Sequence, residues 1–139
     1  MMKPVEVAEE TRVAVESDRD IVTARMRGRA IALQLGFTAA PATLIATAIS
    51  ELARNILLYA KHGEIVLTPV ENGERRGLSV IARDKGPGIP DVARAMQDGY
   101  STSGRLGLGL PGVRRLMDEF DLHSRVGEGT AVKVKIWNA

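Results

Sequence analysis

Leu44, Ile45, Ala48, Ile49, Leu52, Ile56 and Tyr59 recur at helical spacing, and just past Gly63 the pattern turns into runs of β-formers, Glu64–Val70 and Leu78–Asp84. Those runs are joined by Glu71-Asn-Gly-Glu-Arg-Arg-Gly77, whose Asn-Gly step is a hairpin signal. A strongly periodic helix followed at once by a hairpin, with no linker or repeat between them, must bury its apolar stripe against that sheet. The rest of the chain fits this frame. Thr11–Ser17 alternates as a short edge strand, and Ser17 with Asp20 resembles a capping box in which Asp stands for Glu. Behind it Ile21, Val22, Ala24, Met26, Ala30, Ile31 and Leu35 share broadly one helical face, closed by Gly36. The second helix opens around Thr38–Pro41 and is ended by Gly63.

After Asp84 the spacing predicts a loop, Asp84–Pro90, a short helix from Asp91 to about Gln97, and a glycine-rich segment from Gly99 to Gly109. A helix over Leu110–Phe120 follows, with Leu110, Val113, Leu116 and Met117 as its stripe. Two strands, Asp121–Val126 and Thr130–Trp137, close the chain across Gly127-Glu-Gly129. The expected architecture is an α/β (α+β) two-layer sandwich, a mixed sheet with helices on one face. The 139 residues suit one domain, expected over residues 12–139, with residues 1–11 as a flexible lead-in.

Composition removes several classes. With no cysteine there is no disulfide, thiolate metal site or cysteine nucleophile. A net charge of +2 is too small to argue for nucleic acid, and 4% aromatics offer no stacking platform for Arg25, Arg27, Arg29, Arg75 and Arg76. No apolar run approaches the roughly 20 residues that span a bilayer. Met1–Glu10 holds three glutamates and no apolar stretch, so no secretory leader and a cytoplasmic location are expected.

Chemistry gathers in four segments. Glu51 and Asn55, in Glu51-Leu-Ala-Arg-Asn55, are four apart and hence neighbours on the second helix. They are either a surface rim or a reaction site, in which Asn55 offers a neutral oxygen to Mg²⁺ and Glu51 accepts a proton. Asp84-Lys-Gly86-Pro-Gly88 follows an apolar strand, either as an ordinary turn or as a carboxylate poised for an amino group beside glycines that admit a flat ligand. Ser101-Thr-Ser-Gly104-Arg-Leu-Gly107-Leu-Gly109-Leu-Pro-Gly112 reads as a lid whose backbone N–H groups suit phosphate. Within it, Arg105 could meet a phosphate or simply solvate the loop. Gly107–Gly112 formally matches G-x-G-x-x-G, but no strand precedes it, so a dinucleotide fold is excluded. P-loop and eukaryote-type kinase signatures are missing. Gly127-Glu-Gly-Thr130 is a hairpin turn whose Thr hydroxyl could reach a ligand near Asp84.

Taken together and in this order, the four segments resemble the N, G1, G2 and G3 boxes of the GHKL ATPase/kinase superfamily. The wording of Ile49–Asn55, Asp84–Asp91, Gly99–Gly104 and Gly109–Phe120 is most similar to its anti-sigma serine/threonine kinases, and among them to the stressosome switch kinases. The likeness spans Val13 to Trp137. It implies a Bergerat ATP-binding fold with ATP and Mg²⁺ as cofactors. By that resemblance Asp84 accepts the adenine amino group with Thr130 in support, and Gly86 and Gly88 give the base and ribose room. Asn55 holds Mg²⁺, and Glu51 is the general base toward a Ser or Thr acceptor. Ser101, Thr102, Ser103, Gly104, Arg105, Leu106, Gly107, Leu108 and Gly109 bind the phosphates, although the long cation Arg105 stands where the pattern has a small residue.

The implied partners are STAS-domain scaffold or antagonist proteins as phosphoacceptors and a PP2C-type phosphatase activated by contact, with no nucleic acid and no membrane. Monomer and weak homodimer both stay open. A second reading is an ATP-gated module that holds a sigma factor with little or no kinase activity. The detached ATPase half of a histidine kinase is disfavoured because neither His62 nor His123 sits on a dimerising helix pair, and the large GHKL machines need a further transducer domain.

Overall fold

The structure is a computed structural model that describes residues 9–89, 96 and 109–138. Strand β1 (Thr11–Val15) leads into helices α1 (Asp18–Gln34) and α2 (Ala39–Tyr59), and the hairpin β2 (Gly63–Asn72) and β3 (Arg75–Asp84) follows. Helix α3 (Gly109–Leu116), β4 (Glu119–Arg125) and β5 (Gly129–Asn138) complete the described elements. The five strands form one sheet in the order β1-β2-β3-β5-β4. This is the two-layer α/β architecture expected from the sequence, with one correction to strand direction. All four pairings are antiparallel, so the sheet is not mixed. With two helices between β1 and β2 the chain reverses three times, which returns β2 antiparallel to β1. Strand β4 does run in the same direction as β3, as a helical crossover requires, but β5 inserts between them and pairs with both.

Local chemistry accounts for the element ends. The Asp20 carboxylate accepts hydrogen bonds from the backbone N–H of Ser17 at 3.2 Å and Glu16 at 2.8 Å, the reach-back half of the expected capping box. Helix α2 stops earlier than expected: the N–H groups of Ala60 and Lys61 both donate to Ile56 O, and Lys61 takes a left-handed φ of 73°. Gly63 is therefore a strand residue, paired with Val15 on one side and Asp84 on the other. The last helix also ends early, at Leu116 rather than Phe120. Asp118 N–H donates to Lys135 O at 2.9 Å and Phe120 pairs with Val134, so sheet bonding captures the segment before the helical stripe is used up. The expected helix at Asp91–Gln97 lies outside the described residues, Met96 excepted.

The core lies between the helices and one sheet face. Ile45, Ile49 and Leu52 of α2 are at most 1% exposed and meet Ile65 and Leu67 of β2 and Leu78 and Val80 of β3. Val113 of α3 and Val134 of β5 extend that core toward the β4 edge. Helix α1 packs through small residues, Ala24, Gly28 and Ala32, spaced four apart. At Gly28 a methyl group would run into Ile49 Cδ1, so the two helix axes approach more closely there than side chains would allow. One expectation for α1 is overturned. Val22, Met26 and Ala30 are exposed, because the buried face is centred on Ile21, Ala24, Gly28 and Ala32, nearly half a turn away. No helix among the described residues is long and apolar enough to cross a membrane.

Gly63 is hemmed in by both the neighbouring strand and helix α2. A Cβ there would collide with the Arg83 carbonyl oxygen and sit 2.8 Å from Ile56 Cγ2. Gly63→Ala should lower the unfolding free energy by about 1–3 kcal/mol, as overpacking against fixed backbone does. Urea denaturation measures this, and an unchanged midpoint would contradict the packing described.

Candidate functional site

Three of the expected residues meet in one cleft. Asn55 from α2, Asp84 from the end of β3 and Thr130 from the start of β5 line it together with Leu52, Ile56, Tyr59, Ala82, Ile89, Leu110 and Val132. Asp84 and Thr130 face each other as register partners across β3 and β5. The described walls enclose about 40 Å³, floored by aliphatic side chains and edged by an amide, a carboxylate and a hydroxyl. That mixture suits a flat heterocycle with a few directed polar groups. A larger concavity of about 520 Å³ opens on the outer face of the sheet and shares only Asp84 and Thr130 with the cleft. Neither Glu51 nor Asn55 lines it.

Helix α2 carries Glu51 one turn before Asn55, on the same side of the helix. Glu51 is only 7% exposed, beside the fully buried Ala48. Its Oε1 lies 3.5 Å from Nη1 of Arg54, a long ion pair with the guanidinium at the protein surface. Leu44, expected to share this buried side, is 49% exposed. A carboxylate held this deep on a helix needs a partner in the fold, and a solvated rim residue does not.

The loop after β3 is built tightly. Asp84 Oδ1 accepts a hydrogen bond from the Gly86 N–H at 2.8 Å, closing a side-chain turn, while Oδ2 makes no hydrogen bond among the described residues. Gly86 and Gly88 were expected to make room for a ligand, and in the structure the space they spare is filled by protein. A Cβ on Gly86 would lie 2.5 Å from that of Ala60, and one on Gly88, whose φ is 82°, would strike the Arg125 carbonyl oxygen. The loop is fastened to the β4–β5 turn by Gly127 N–H donating to Pro87 O at 2.8 Å.

Ser124, which the sequence did not single out, lies behind the cleft, on the larger concavity, and braces two of the cleft's residues. Its Oγ accepts a hydrogen bond from the Ile89 N–H at 2.7 Å, lies 2.8 Å from Thr130 Oγ1 and reaches Gly129 O at 3.3 Å. One hydroxyl thus ties the loop after Asp84 to the start of β5. The available signal was the hairpin itself, which places Ser124 directly opposite Thr130.

Of the glycine-rich segment, Ser101, Thr102, Ser103, Gly104, Arg105, Leu106, Gly107 and Leu108 lie outside the described residues. Gly109 is the first residue of α3, with φ 63°, and the next residue, Leu110, lines the cleft. The positive end of that helix is therefore at the cleft edge, the polarity that favours an anion. Among the described residues no cluster of three or more His, Asp or Glu could hold a metal by itself. Asn55 supplies a single neutral oxygen at the cleft wall. That donor set fits Mg²⁺ only as a cation shared with substrate phosphates and water.

Comparison with known proteins agrees with this geometry. Residues 40–139 match the family described as histidine kinase-, DNA gyrase B- and HSP90-like ATPases. The chain is 54% identical over 125 residues to the serine/threonine-protein kinase RsbT of Bacillus subtilis (strain 168), covering 90% of this chain and 94% of that one. It is 33% identical over 111 residues to the anti-sigma F factor of Thermoanaerobacter sp. (strain X514), with 76% of each chain covered.

Two solved structures share the fold. The RsbU and RsbW domains of Rv1364c from Mycobacterium tuberculosis superpose with a TM-score of 0.61 at 19% identity, over 94% of this chain and 33% of that one. The catalytic domain of the histidine kinase ThkA superposes with a TM-score of 0.52 at 18% identity, over 92% and 95%. The cleft between α2 and the ends of β3 and β5, the matched family and the fold all agree, and the chain belongs to the histidine kinase-, gyrase B- and HSP90-like ATPase family.

Proposed function

We propose that this protein is an ATP-dependent serine/threonine protein kinase acting as a switch between partner proteins. The observation that carries the reading is the convergence of Asn55, Asp84 and Thr130 on one cleft, with the buried Glu51 one turn along α2. Similarity to RsbT over nearly the whole of both chains supports the reaction class.

In this reading Asp84 Oδ2 accepts a hydrogen bond from the adenine amino group, and Thr130, oriented by Ser124, supports the same edge of the base. Asn55 holds Mg²⁺, which when bound neutralises phosphate charge. The segment from Ser101 to Gly109 supplies backbone N–H groups to the phosphates. Glu51 takes the proton from an acceptor Ser or Thr hydroxyl. The acceptor oxygen forms its bond to the γ-phosphorus as the bond to the β–γ bridging oxygen breaks, and ADP leaves. Positioning and charge neutralisation carry most of the rate.

The acceptors proposed are STAS-domain scaffold or antagonist proteins, and the kinase released from them activates a PP2C-type phosphatase by contact. The setting is cytoplasmic, with residues 12–139 as the single catalytic domain behind a short lead-in. A second reading, an ATP-gated module that holds a sigma factor, draws support from the 33% identity to an anti-sigma F factor. Incubation with γ-labelled ATP and a STAS-domain protein separates the two, because only a kinase transfers label.

Glu51→Gln should lower the phosphorylation rate by roughly 10²- to 10⁴-fold while ATP affinity changes little. A rate within a few-fold of wild type would remove Glu51 from the chemistry. Asp84→Asn should weaken ATP binding by about 1.5–3 kcal/mol, the range of a charge-assisted hydrogen bond, and calorimetry would read this directly. Undiminished affinity would place the adenine elsewhere. Ser124→Ala leaves the Ile89 N–H and Thr130 hydroxyl without their shared partner, and should cost about 1–2 kcal/mol in stability together with a loss of ATP affinity. An effect on neither quantity would contradict the role given to that hydroxyl.

A further inference from the structure

Helix α1 carries two apolar seams, of which the fold uses one. The buried seam is Ile21, Ala24, Gly28 and Ala32. The other is Val22, Met26 and Leu33, exposed by 41%, 63% and 41%, with Arg29 filling the remaining position of an i, i+4, i+7, i+11 ladder. Exposed Arg19 and Arg25 flank this ladder. None of Arg19, Arg25 and Arg29 makes an ion pair among the described residues.

The acids of α1 do not balance these cations. Asp18 and Asp20 both lie in the first turn, Asp20 is engaged in the cap, and no acid occurs from Ile21 to Gln34. A helix evolved only for solvation alternates signs at i, i+4, where like charges such as Arg25 and Arg29 disfavour it. The seam contributes nothing to the cleft, whose lining includes no α1 residue.

We infer that the Val22–Met26–Arg29–Leu33 face of α1 is a docking seam for an acidic amphipathic helix of a partner protein. Val22, Met26 and Leu33 sit at the spacing that interdigitates with a facing helix, and Arg19, Arg25 and Arg29 call for carboxylates beside the partner's apolar positions. A second copy of this chain does not supply them, since α1 against α1 sets arginine against arginine. A nucleic acid backbone would leave the three apolar side chains without a partner. The underlying core packing holds the seam rigid, so a partner pays little ordering entropy on this side. The surface stands whether or not the cleft transfers phosphate.

The test uses the full chain and a fluorescent four-heptad peptide with Leu at the two apolar heptad positions and Glu at the flanking ones. Binding is read by anisotropy, with amide NMR shifts to locate it. The peptide should bind with shifts centred on Val22 to Leu33. Met26→Asp and the double variant R25E/R29E should each weaken it roughly tenfold or more, the loss of an interface anchor. Val126→Asp, which changes an equally exposed apolar residue elsewhere, should have no effect. In R25E/R29E preference should pass to the same peptide carrying Lys in place of Glu.

These exposed variants should keep wild-type melting temperatures. No binding, equal binding by R25E/R29E, or shifts centred outside α1 would overturn the proposal. So would preferential binding of wild type to phosphatidylserine vesicles, or seam variants that abolish self-association in sedimentation.

Discussion

The register between β3 and β5 is the constraint on which the site depends. Side chains on a strand alternate between faces, so a slip of one residue would carry Asp84 and Thr130 away from the helices and onto the outer surface. The register is held by burial on the helix side. Leu78, Val80 and Ala82 of β3 and Val132 and Val134 of β5 all point into the core, and any shift exposes them together. Asp84 thereby continues the inward series of Leu78, Val80 and Ala82 at the strand end, where the helices leave an opening. The cleft is the last, unfilled layer of the hydrophobic core, with a carboxylate in place of an aliphatic side chain.

Around that pair the fold adds rigidity from three directions. Helix α2 approaches so closely that Gly63 and Gly86 have no room for a methyl group. The β4–β5 turn grips the loop after Asp84 through Gly127 and Ser124. Helix α3 brings its N-terminal end to the opposite rim through Leu110. A polar site built this way is preorganised, since Asp84 Oδ1 is already engaged by its own loop while Oδ2 makes no hydrogen bond among the described residues.

Much of this was legible in the sequence because it rested on periodicity. The stripe of α2, the Asn-Gly hairpin and the β5 alternation are local signals, and tertiary structure reinforced each of them. What was not legible depended on competition between neighbours. Phe120 continues a helical stripe in sequence, yet Asp118 bonds to Lys135 and the strand takes it. Lys61 rather than Gly63 turns the chain after α2, because Gly63 is required where sheet and helix nearly touch. The mixed sheet was a reasonable expectation from a helix between β3 and β4, and it failed because strand order is not written in any one segment. Val22 and Met26 looked like core for a similar reason: α1 is apolar on two sides, and a single sequence does not say which side is covered. Ser124 was hidden because its role lies in a cross-strand contact.

The chain therefore presents two differently made surfaces. One is concave, polar-edged and assembled from four separate segments. The other is a single convex helix face of aliphatic and guanidinium groups. On the function proposed, the first would take the nucleotide and the second would hold a partner, and the two lie on different elements. The most direct measurement of the central claim is the set of amide NMR shifts on adding a non-hydrolysable ATP analogue with Mg²⁺. The account predicts the largest changes at Asn55, at Asp84–Ile89, and at Leu110 and Thr130, the walls of the cleft. Changes centred instead on His62, His123 and Arg125, which line the larger concavity on the outer sheet face, would contradict it.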